Sequence, residues 1–344
     1  MIIHKENLLK KECFLVAEVA QAHDGSLGIL HSYIDALAET GVNAIKFQTH
    51  IADAESSKYE PFRINFSYED DTRYDYWKRM EFTLKEWKDI KKHCDDVNLE
   101  FISSPFSNKA VEILEEIGVQ KYKIGSGEVN NYLMLEKIAR TGKEIILSSG
   151  MSNFEELDKT IKFLQTFKNK LTILQCTTKY PTKAEDVGLN VILELKERYS
   201  LPVGFSDHSS SIFPSLAAVT LGAEIIEFHA VFDKLMFGPD SKSSLSIKEI
   251  IQLVKGVRYI EKSLKNKIDK SDNSEFQDVK NIFEKSLAIN KNKKKGDKIY
   301  FDDLESKKPS GHGLPAKDYK KVIGKTLNKN LTKWDFLKDK DFNE

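Results

Sequence analysis

Short apolar runs alternate with amphipathic stretches along most of the chain. Each run is apolar on both faces instead of alternating with polar residues, which is typical of a parallel strand covered on both sides. The pattern predicts eight such strands, at Phe14–Ala20, Ala44–Thr49, Leu99–Phe106, Tyr122–Gly127, Glu144–Gly150, Leu171–Thr178, Val203–His208 and Glu224–Phe232.

The stretches between these runs carry start and stop signals of helices. A hydroxyl followed three residues later by a carboxylate predicts a capping box, as at Thr83–Glu86, Ser152–Glu155 and Ser246–Glu249. Glycine takes the left-handed conformation of a helix end, so helices are predicted to end at Gly41, Gly118, Gly142 and Gly222.

Eight strand–helix units within about 260 residues predict an α/β fold of the (β/α)8 TIM-barrel type. We assign residues 1–264 to this barrel. The rival architecture is a doubly wound sheet, which usually has fewer strands and a glycine-rich turn after the first. The corresponding segment here, Gln21-Ala-His-Asp-Gly25, lacks that fingerprint, so the barrel is favoured.

Residues 50–82 form a long segment rich in charged and aromatic residues after the second predicted strand. Loops at this end of a barrel strand lie over the catalytic face, so the segment could be a lid. It could equally be a surface insertion packed on its own aromatic residues. The sequence leaves both interpretations open.

Beyond the barrel, residues 265–281 are polar and lack an apolar period, which predicts a linker. Residues 282–344 form a second, small domain that includes a Gly/Pro segment, Lys308–Pro315. About sixty residues bury little core, so we expect this domain to lean on the barrel or on another subunit.

Composition narrows the class of protein. The chain of 344 residues is 40% hydrophobic, and its 53 basic and 53 acidic residues give a net charge of +0, which argues against a nucleic-acid partner. Its three cysteines are odd in number and far apart, as expected in a reducing cytoplasm. The N-terminal Met1–Glu6 lacks the apolar core of a signal peptide, and no apolar run is long enough to span a membrane.

The predicted strands end in polar residues that a structural core does not need. Buried lysines are rare unless paired, so Lys46 and Lys123 require an anionic partner. Salt bridges to Glu18 or Glu227 would be a structural solution. The functional alternative is an anionic ligand, with hydrogen bonds from the hydroxyls of Ser104, Ser126 and Ser206.

His208 and His229 lie at the ends of the last two predicted strands. Neighbouring parallel strands are about 5 Å apart, so both imidazoles can reach one metal ion. Two imidazoles with water and substrate suit a hard or borderline divalent ion that polarises a carbonyl. Glu18 or Glu128 could transfer protons or orient water, whereas His23 is a weaker candidate because its loop could use it to shape a turn.

Several runs together resemble the sialic acid synthase family: Glu18…His23-Asp-Gly25, Lys46-Phe-Gln-Thr49, Ser103-Ser-Pro-Phe106, Tyr122-Lys-Ile-Gly-Ser-Gly-Glu128, Leu147-Ser-Ser-Gly-Met151, Cys176-Thr-Thr-Lys-Tyr-Pro181, Gly204-Phe-Ser-Asp-His208 and Gly238-Pro-Asp240. The resemblance implies a TIM barrel with a C-terminal SAF (antifreeze-like) domain that reaches the partner's active site in a homodimer. It also implies condensation of phosphoenolpyruvate with an N-acyl hexosamine such as N-acetylmannosamine, giving a nine-carbon 2-keto acid and phosphate.

The resemblance assigns roles position by position. His208 and His229 would bind Mn²⁺ or Mg²⁺, and Glu18 would assist the water at C2 or stabilise the cationic centre there. Phosphoenolpyruvate would be held by Lys46, Ser104, Lys123, Ser126, Thr178 and Ser206. The sugar would be faced by Gln48, Glu128, Tyr180, Asp240 and Lys308.

The chain departs from the family pattern in the Ala22–Gly25 loop, at Phe228 and Ala230 beside His229, and at Lys308, where an arginine is usual. Lysine cannot make the bidentate contact of arginine. These differences predict a modified 2-acetamido or 2,4-diacetamido sugar as the acceptor. Two other functions remain open: a Schiff-base aldolase using Lys46 or Lys123, and a non-catalytic sugar- or ice-binding protein.

Overall fold

The computed structural model describes residues 12–64 and 66–343. The chain divides into two compact units, of which the first ends at Lys267 and the second begins at Ile268. The N-terminal segment, for which the sequence predicts no signal peptide, lies outside the described residues. None of the described helices combines the length and apolar character needed to cross a bilayer.

Eight parallel strands close into a barrel within the described part of the first unit. Each strand pairs with the next along the chain, and the first pairs with the eighth, with Glu18 opposite His229. The strands are β1 (Phe14–Glu18), β2 (Ala44–Thr49), β3 (Glu100–Pro105), β4 (Lys121–Ile124), β5 (Glu144–Ser148), β6 (Leu171–Cys176), β7 (Val203–Asp207) and β8 (Ile225–Val231). Closure confirms the predicted (β/α)8 barrel and excludes the doubly wound sheet.

Helices cover the outside of the barrel, and α4 (Leu84–Asp96), for example, buries an apolar face formed by Trp87, Ile90 and Cys94. A short strand, β9 (Leu245–Ser246), pairs with β8 before the last helix. The helices are α1 (Leu27–Ala38), α2 (Ala52–Glu55), α3 (Arg73–Met80), α4 (Leu84–Asp96), α5 (Asn108–Ile117), α6 (Tyr132–Ala139), α7 (Phe154–Gln165), α8 (Leu189–Tyr199), α9 (Phe213–Thr220) and α10 (Ile247–Lys265).

The predicted helix ends are largely confirmed. Capping boxes form at Thr83–Glu86 and Ser246–Glu249, and the four predicted glycines have φ values of 84°, 78°, 73° and 82°. The box predicted at Ser152–Glu155 is wrong by one residue, since Asn153 caps α7 with Glu156. Asparagine caps as well as serine does, and the shift turns Glu155 outward, 2.7 Å from Lys159.

Most predicted strands run past the observed ends, because the residues that follow them already form turns. The fourth, predicted to reach Gly127, ends at Ile124, and a short 3-10 helix over Ser126–Glu128 follows. His229 lies inside β8, two residues before its end, and His208 comes directly after β7.

The 50–82 segment packs on its own aromatic residues, as one of the two interpretations expected, and its role as a lid stays a prediction. Its helices α2 and α3 bury Ala52, Tyr76, Trp77 and Met80 with the neighbouring aromatics Phe62, Phe66 and Tyr74. Arg79 ties the segment to the loop after β1 by an ion pair of 2.6 Å with Asp24. The segment also contributes side chains to the cavity described below.

The second unit has its own small core, built from Leu287, Ile289, Ile299, Val322, Leu327, Leu331, Leu337 and Phe342. Before its antiparallel pair, β10 (Ser286–Ile289) and β11 (Leu304–Lys307), lies α11 (Gln277–Phe283). The predicted linker 265–281 is therefore helical from Gln277 onward. Val279, Ile282 and Phe283 have helical spacing that its polar composition concealed. Assignment of this unit as an SAF domain stays a prediction.

Candidate active site

A cavity of about 410 Å³ opens at the carboxyl ends of the barrel strands. All of the predicted site residues in the first unit line it: Glu18, Lys46, Gln48, Ser104, Lys123, Ser126, Glu128, Thr178, Tyr180, Ser206, His208, His229 and Asp240. They come from every strand or following loop except β5, so barrel closure is what brings them together.

The two predicted lysines lie at the base of this cavity and are paired with carboxylates. Lys46 Nζ is 2.7 Å from Glu18 Oε1 and 3.5 Å from Glu227 Oε1. Lys123 Nζ is 2.9 Å from the same Glu227 oxygen, which also accepts from Ser206 Oγ at 2.9 Å. The salt bridges considered from the sequence therefore form, and two ammonium groups balance two carboxylates.

Burial and pairing act in opposite directions on these groups. Burial alone raises the pKa of Glu18, but the charges of Lys46 and Lys123 help to outweigh it, and the pKa lies below its ordinary value. Burial likewise opposes the charged form of Lys46, yet Glu18 and Glu227 raise its pKa. Both groups are therefore ionised, and Lys46 is an ammonium, not a free amine.

Two hydroxyls in the cavity wall have no partner. Ser104 Oγ and Thr178 Oγ1 are buried without a hydrogen bond. A β-carbon at Gly150 would come within 2.6 Å of Thr178 Oγ1 and 2.8 Å of Ser126 Oγ, so glycine keeps this wall open. Buried hydroxyls normally have a hydrogen-bond partner, so these two are polar groups that a molecule bound in the cavity could engage.

The histidine pair lies on the neighbouring wall, with ring centroids 5.4 Å apart. His208 Nδ1 donates to the Thr177 carbonyl at 3.0 Å, which turns Nε2 toward Tyr180 OH at 3.3 Å. Burial lowers the pKa of His208 to about 4, so its imidazole is neutral. His229 Nε2 lies 3.4 Å from Glu18 Oε2.

Within residues 12–64 and 66–343, no cluster of three or more His, Cys, Asp or Glu side chains is arranged to hold a metal ion. The role of His208 and His229 as metal ligands stays a prediction. His23 instead accepts a hydrogen bond from the Gly25 amide at 3.0 Å, which supports its role in turn structure.

The mouth of the cavity is formed by Tyr180, Asp240 and residues of the 50–82 segment. Arg63 donates to Asp240 at 2.8 Å, and its guanidinium lies 4.3 Å from the Tyr180 ring centroid. The Arg73 guanidinium lies 4.4 Å from the Trp77 ring centroid, and its Nε forms an ion pair of 3.5 Å with Glu60 Oε1. These arginines are cavity residues that the sequence analysis missed, because no periodicity places a loop residue.

Other lining residues were missed although a signal existed. His50 directly follows β2 and obeys the same rule, polar residues at strand ends, that identified Lys46 and Gln48. Glu227 was considered only as a salt-bridge partner.

Two further residues predicted to face the sugar lie in different units. In the first unit, Glu128 accepts from Asn131 Nδ2 at 2.7 Å, and burial raises its pKa. Lys308 belongs to the second unit, where its ammonium lies 4.5 Å from the Phe283 ring centroid.

Comparisons with known proteins agree with this architecture. The family model described as NeuB family matches residues 33–269. An N,N'-diacetyllegionaminic acid synthase of Campylobacter jejuni is 35% identical over 96% of this chain and 100% of its own length. Human N-acetylneuraminate-9-phosphate synthase is 30% identical over 92% of this chain and 88% of its own. The crystal structure of an N-acetylneuraminic acid (sialic acid) synthetase from Leptospira borgpetersenii, in complex with citrate, is 32% identical with a TM-score of 0.69, covering 78% of this chain and 90% of that one.

Proposed function

Since this chain belongs to the NeuB family and is an enzyme of that synthase kind, we propose that it condenses phosphoenolpyruvate with the aldehyde of an N-acyl hexosamine and with water, releasing phosphate. The product is a nonulosonate, a sugar acid of the sialic, legionaminic or pseudaminic type. Relatives named as synthases of these acids, which cover most of the chain, support the proposal.

One observation carries the proposal: unsatisfied hydroxyls, buried ammonium groups and an imidazole pair share one cavity. An ammonium has three N–H donors. Lys46 directs two toward carboxylates and Lys123 one, which leaves donors for the oxygens of an anion. Ser104 and Thr178 would complete the shell around phosphoenolpyruvate, together with Ser126 and Ser206.

The residues present fit a divalent metal ion. His208 is neutral and directs Nε2 into the cavity, and His229 presents its own ring beside it. Two nitrogen donors leave positions for water and substrate, which suits Mn²⁺ or Mg²⁺. When bound, the ion would polarise the sugar carbonyl and add the positive charge that the balanced lysine–carboxylate cluster lacks.

We assign Glu18 a role at C2 of phosphoenolpyruvate, the carbon to which water adds. The enol carbon of phosphoenolpyruvate attacks the aldehyde, water adds at C2, and the tetrahedral intermediate expels phosphate by C–O cleavage. Glu18 is ionised and within 2.7 Å of Lys46 and 3.4 Å of His229, so its carboxylate can orient the water or stabilise positive charge at C2.

The sugar is assigned to the mouth of the cavity, where Gln48, Glu128, Tyr180 and Asp240 lie. The guanidinium of Arg73, which also lines the cavity, offers further donors to a carbonyl oxygen. We propose a 2-acetamido or 2,4-diacetamido hexose as the acceptor. By the resemblance, a homodimer would add Lys308 of the SAF domain to the sugar site. Three buried, free cysteines are in keeping with a cytoplasmic enzyme.

The geometry disfavours the Schiff-base aldolase. A lysine that forms a Schiff base must be a neutral amine, which requires a lowered pKa. The pKa of Lys46 is raised by its carboxylate partners, and Lys123 lies 2.9 Å from Glu227. Lys46 is therefore not in an environment that releases its proton, and Lys123 is held in an ion pair.

Phosphoenolpyruvate labelled with ¹⁸O in the bridging oxygen tests the proposal. Incubation with a divalent ion and a panel of 2-acetamido and 2,4-diacetamido hexoses should place the label in the released phosphate. Label retained in the product would contradict C–O cleavage. A borohydride-stable adduct with pyruvate would instead establish the aldolase.

A further inference from the structure

His50 is a buried histidine of the cavity whose ring faces are both covered. Only 3% of the residue is exposed. The Trp77 ring stacks on it at 3.8 Å between centroids, and the Phe106 ring stacks at 4.4 Å. With both faces occupied, the plane of the imidazole is fixed, and only its two nitrogens are free to make contacts.

The contacts of the two nitrogens assign the tautomer. Nδ1 lies 2.5 Å from Glu55 Oε1, and an ionised carboxylate only accepts, so Nδ1 carries the proton. Glu55 is held in place by the Ile51 amide, which donates to its other oxygen at 3.2 Å. Nε2 lies 2.9 Å from the amide nitrogen of Gln21 and therefore accepts.

Gln21 connects His50 to Gln48 through hydrogen bonds of its side-chain amide. Its amide nitrogen has two N–H donors, of which one goes to His50 Nε2 and the other to Gln48 Oε1 at 2.8 Å. Gln48 Oε1 also lies 3.1 Å from His50 Nε2, but both atoms accept in this tautomer, so the Gln21 amide satisfies them together. The Gln48 carbonyl is thereby turned toward Gln21.

The opposite end of Gln48 then meets Glu18. Gln48 Nε2 donates to Glu18 Oε1 at 2.8 Å, on the same oxygen that Lys46 contacts. If the Gln48 amide were reversed, its oxygen would face the Glu18 carboxylate, and two acceptors would oppose each other. The second N–H of Gln48 is left for the cavity, which this residue lines.

We propose that His50 is a positioning residue for the condensation: through Gln21 it fixes the Gln48 amide, which holds the Glu18 carboxylate and presents an N–H donor to the sugar. This inference rests on the proposed function. His50 itself does not exchange protons with substrate, because its faces are stacked and its Nε2 lone pair is occupied by Gln21.

The test compares His50→Phe with Gln21→Met. Phenylalanine keeps the aromatic stack but lacks both nitrogens, and methionine leaves the stack untouched but cannot donate. Each variant should lower kcat for phosphate release by about 100-fold, since small misplacements of reacting groups cost that much, and leave KM for phosphoenolpyruvate unchanged. Glu55→Gln should lose less activity than Glu55→Ala, because an amide oxygen still accepts from Nδ1.

His93→Phe is the matched control. His93 also packs against an aromatic ring, that of His31 at 5.0 Å, and pairs with a carboxylate, that of Asp35 at 2.9 Å, but it does not line the cavity. Its kcat should equal that of the wild type. Wild-type kcat in both His50→Phe and Gln21→Met would overturn the proposal, as would a raised phosphoenolpyruvate KM with unchanged kcat.

A second readout separates this inference from the proposed function. In ¹⁵N-histidine-labelled protein, the signals that vanish in His50→Phe should show a protonated Nδ1 and an unprotonated Nε2, and Gln21→Met should shift the Nε2 signal. A protonated Nε2 would refute the relay even in an active enzyme. Absence of phosphate release with every acceptor would refute the function, and the spectrum would still decide the relay.

Discussion

At the scale of single residues, Ser104 and Thr178 are expected to serve ligand binding more than stability. Their buried hydroxyls lack partners, so they contribute little to stability and are available to a ligand. The double variant Ser104→Ala, Thr178→Val should raise KM for phosphoenolpyruvate about tenfold or more, because hydrogen bonds to charged groups are lost. Its melting temperature should not fall. Unchanged KM in steady-state kinetics would contradict this assignment.

His23 makes a residue-scale prediction about pH. Burial, with the charge of Arg79, lowers its pKa from 6.5 to about 3 in the folded protein. Between pH 3 and pH 6.5, His23 binds a proton in the unfolded chain but not in the folded protein. The contribution of neutral His23 to the free energy of unfolding is therefore fully present above pH 6.5 and is lost as the pH falls. His23→Asn keeps an acceptor for the Gly25 amide.

Denaturant unfolding at pH 7 and pH 5 measures this effect. The wild type should lose about 2 kcal/mol more stability than His23→Asn over that interval. Equal losses in the two proteins would show that His23 is charged in the fold. His208, with a pKa of about 4, titrates similarly in both and does not affect the comparison.

The start of α7 tests capping at the scale of elements. Asn153 accepts from the Glu156 amide at 2.9 Å, and Glu156 Oε2 accepts from the Asn153 amide at 3.0 Å. Asn153→Ala should lower the free energy of unfolding by about 1 kcal/mol, whereas Ser152→Ala should be close to neutral. A larger loss of stability in Ser152→Ala than in Asn153→Ala, measured by chemical denaturation, would support the capping box that the sequence pattern predicted.

Elements were predictable wherever one local signal dominates. The β2 strand was predicted at its observed bounds because the helix-ending Gly41 precedes it and the charged 50–82 segment follows it. The end of β4 was not predicted, because the sequence at Gly125 and Ser126 did not show that the backbone already turns there. Helix α11 was missed because polar composition outweighed the spacing of its three apolar residues.

At the scale of the whole molecule, the closure of the barrel determines which site residues the sequence can predict. Barrel closure brings the carboxyl ends of the strands together, so polar residues there converge whatever their distance in sequence. That rule identified Lys46, Lys123 and His208. It could not predict the pairing of each lysine, which depends on strand register, or the positions of Arg63 and Arg73, which the aromatic packing of their own segment determines.

The central claim is that this one cavity joins phosphoenolpyruvate to an N-acyl hexosamine with help from a divalent ion. Its most direct test is phosphate release, with product mass, from reactions that omit one component at a time. We predict release, with an equimolar nine-carbon acid, only when phosphoenolpyruvate, an acceptor sugar and Mn²⁺ or Mg²⁺ are all present, and its loss in His208→Ala. Full activity in EDTA or in His208→Ala, or product formed from pyruvate, would contradict the claim.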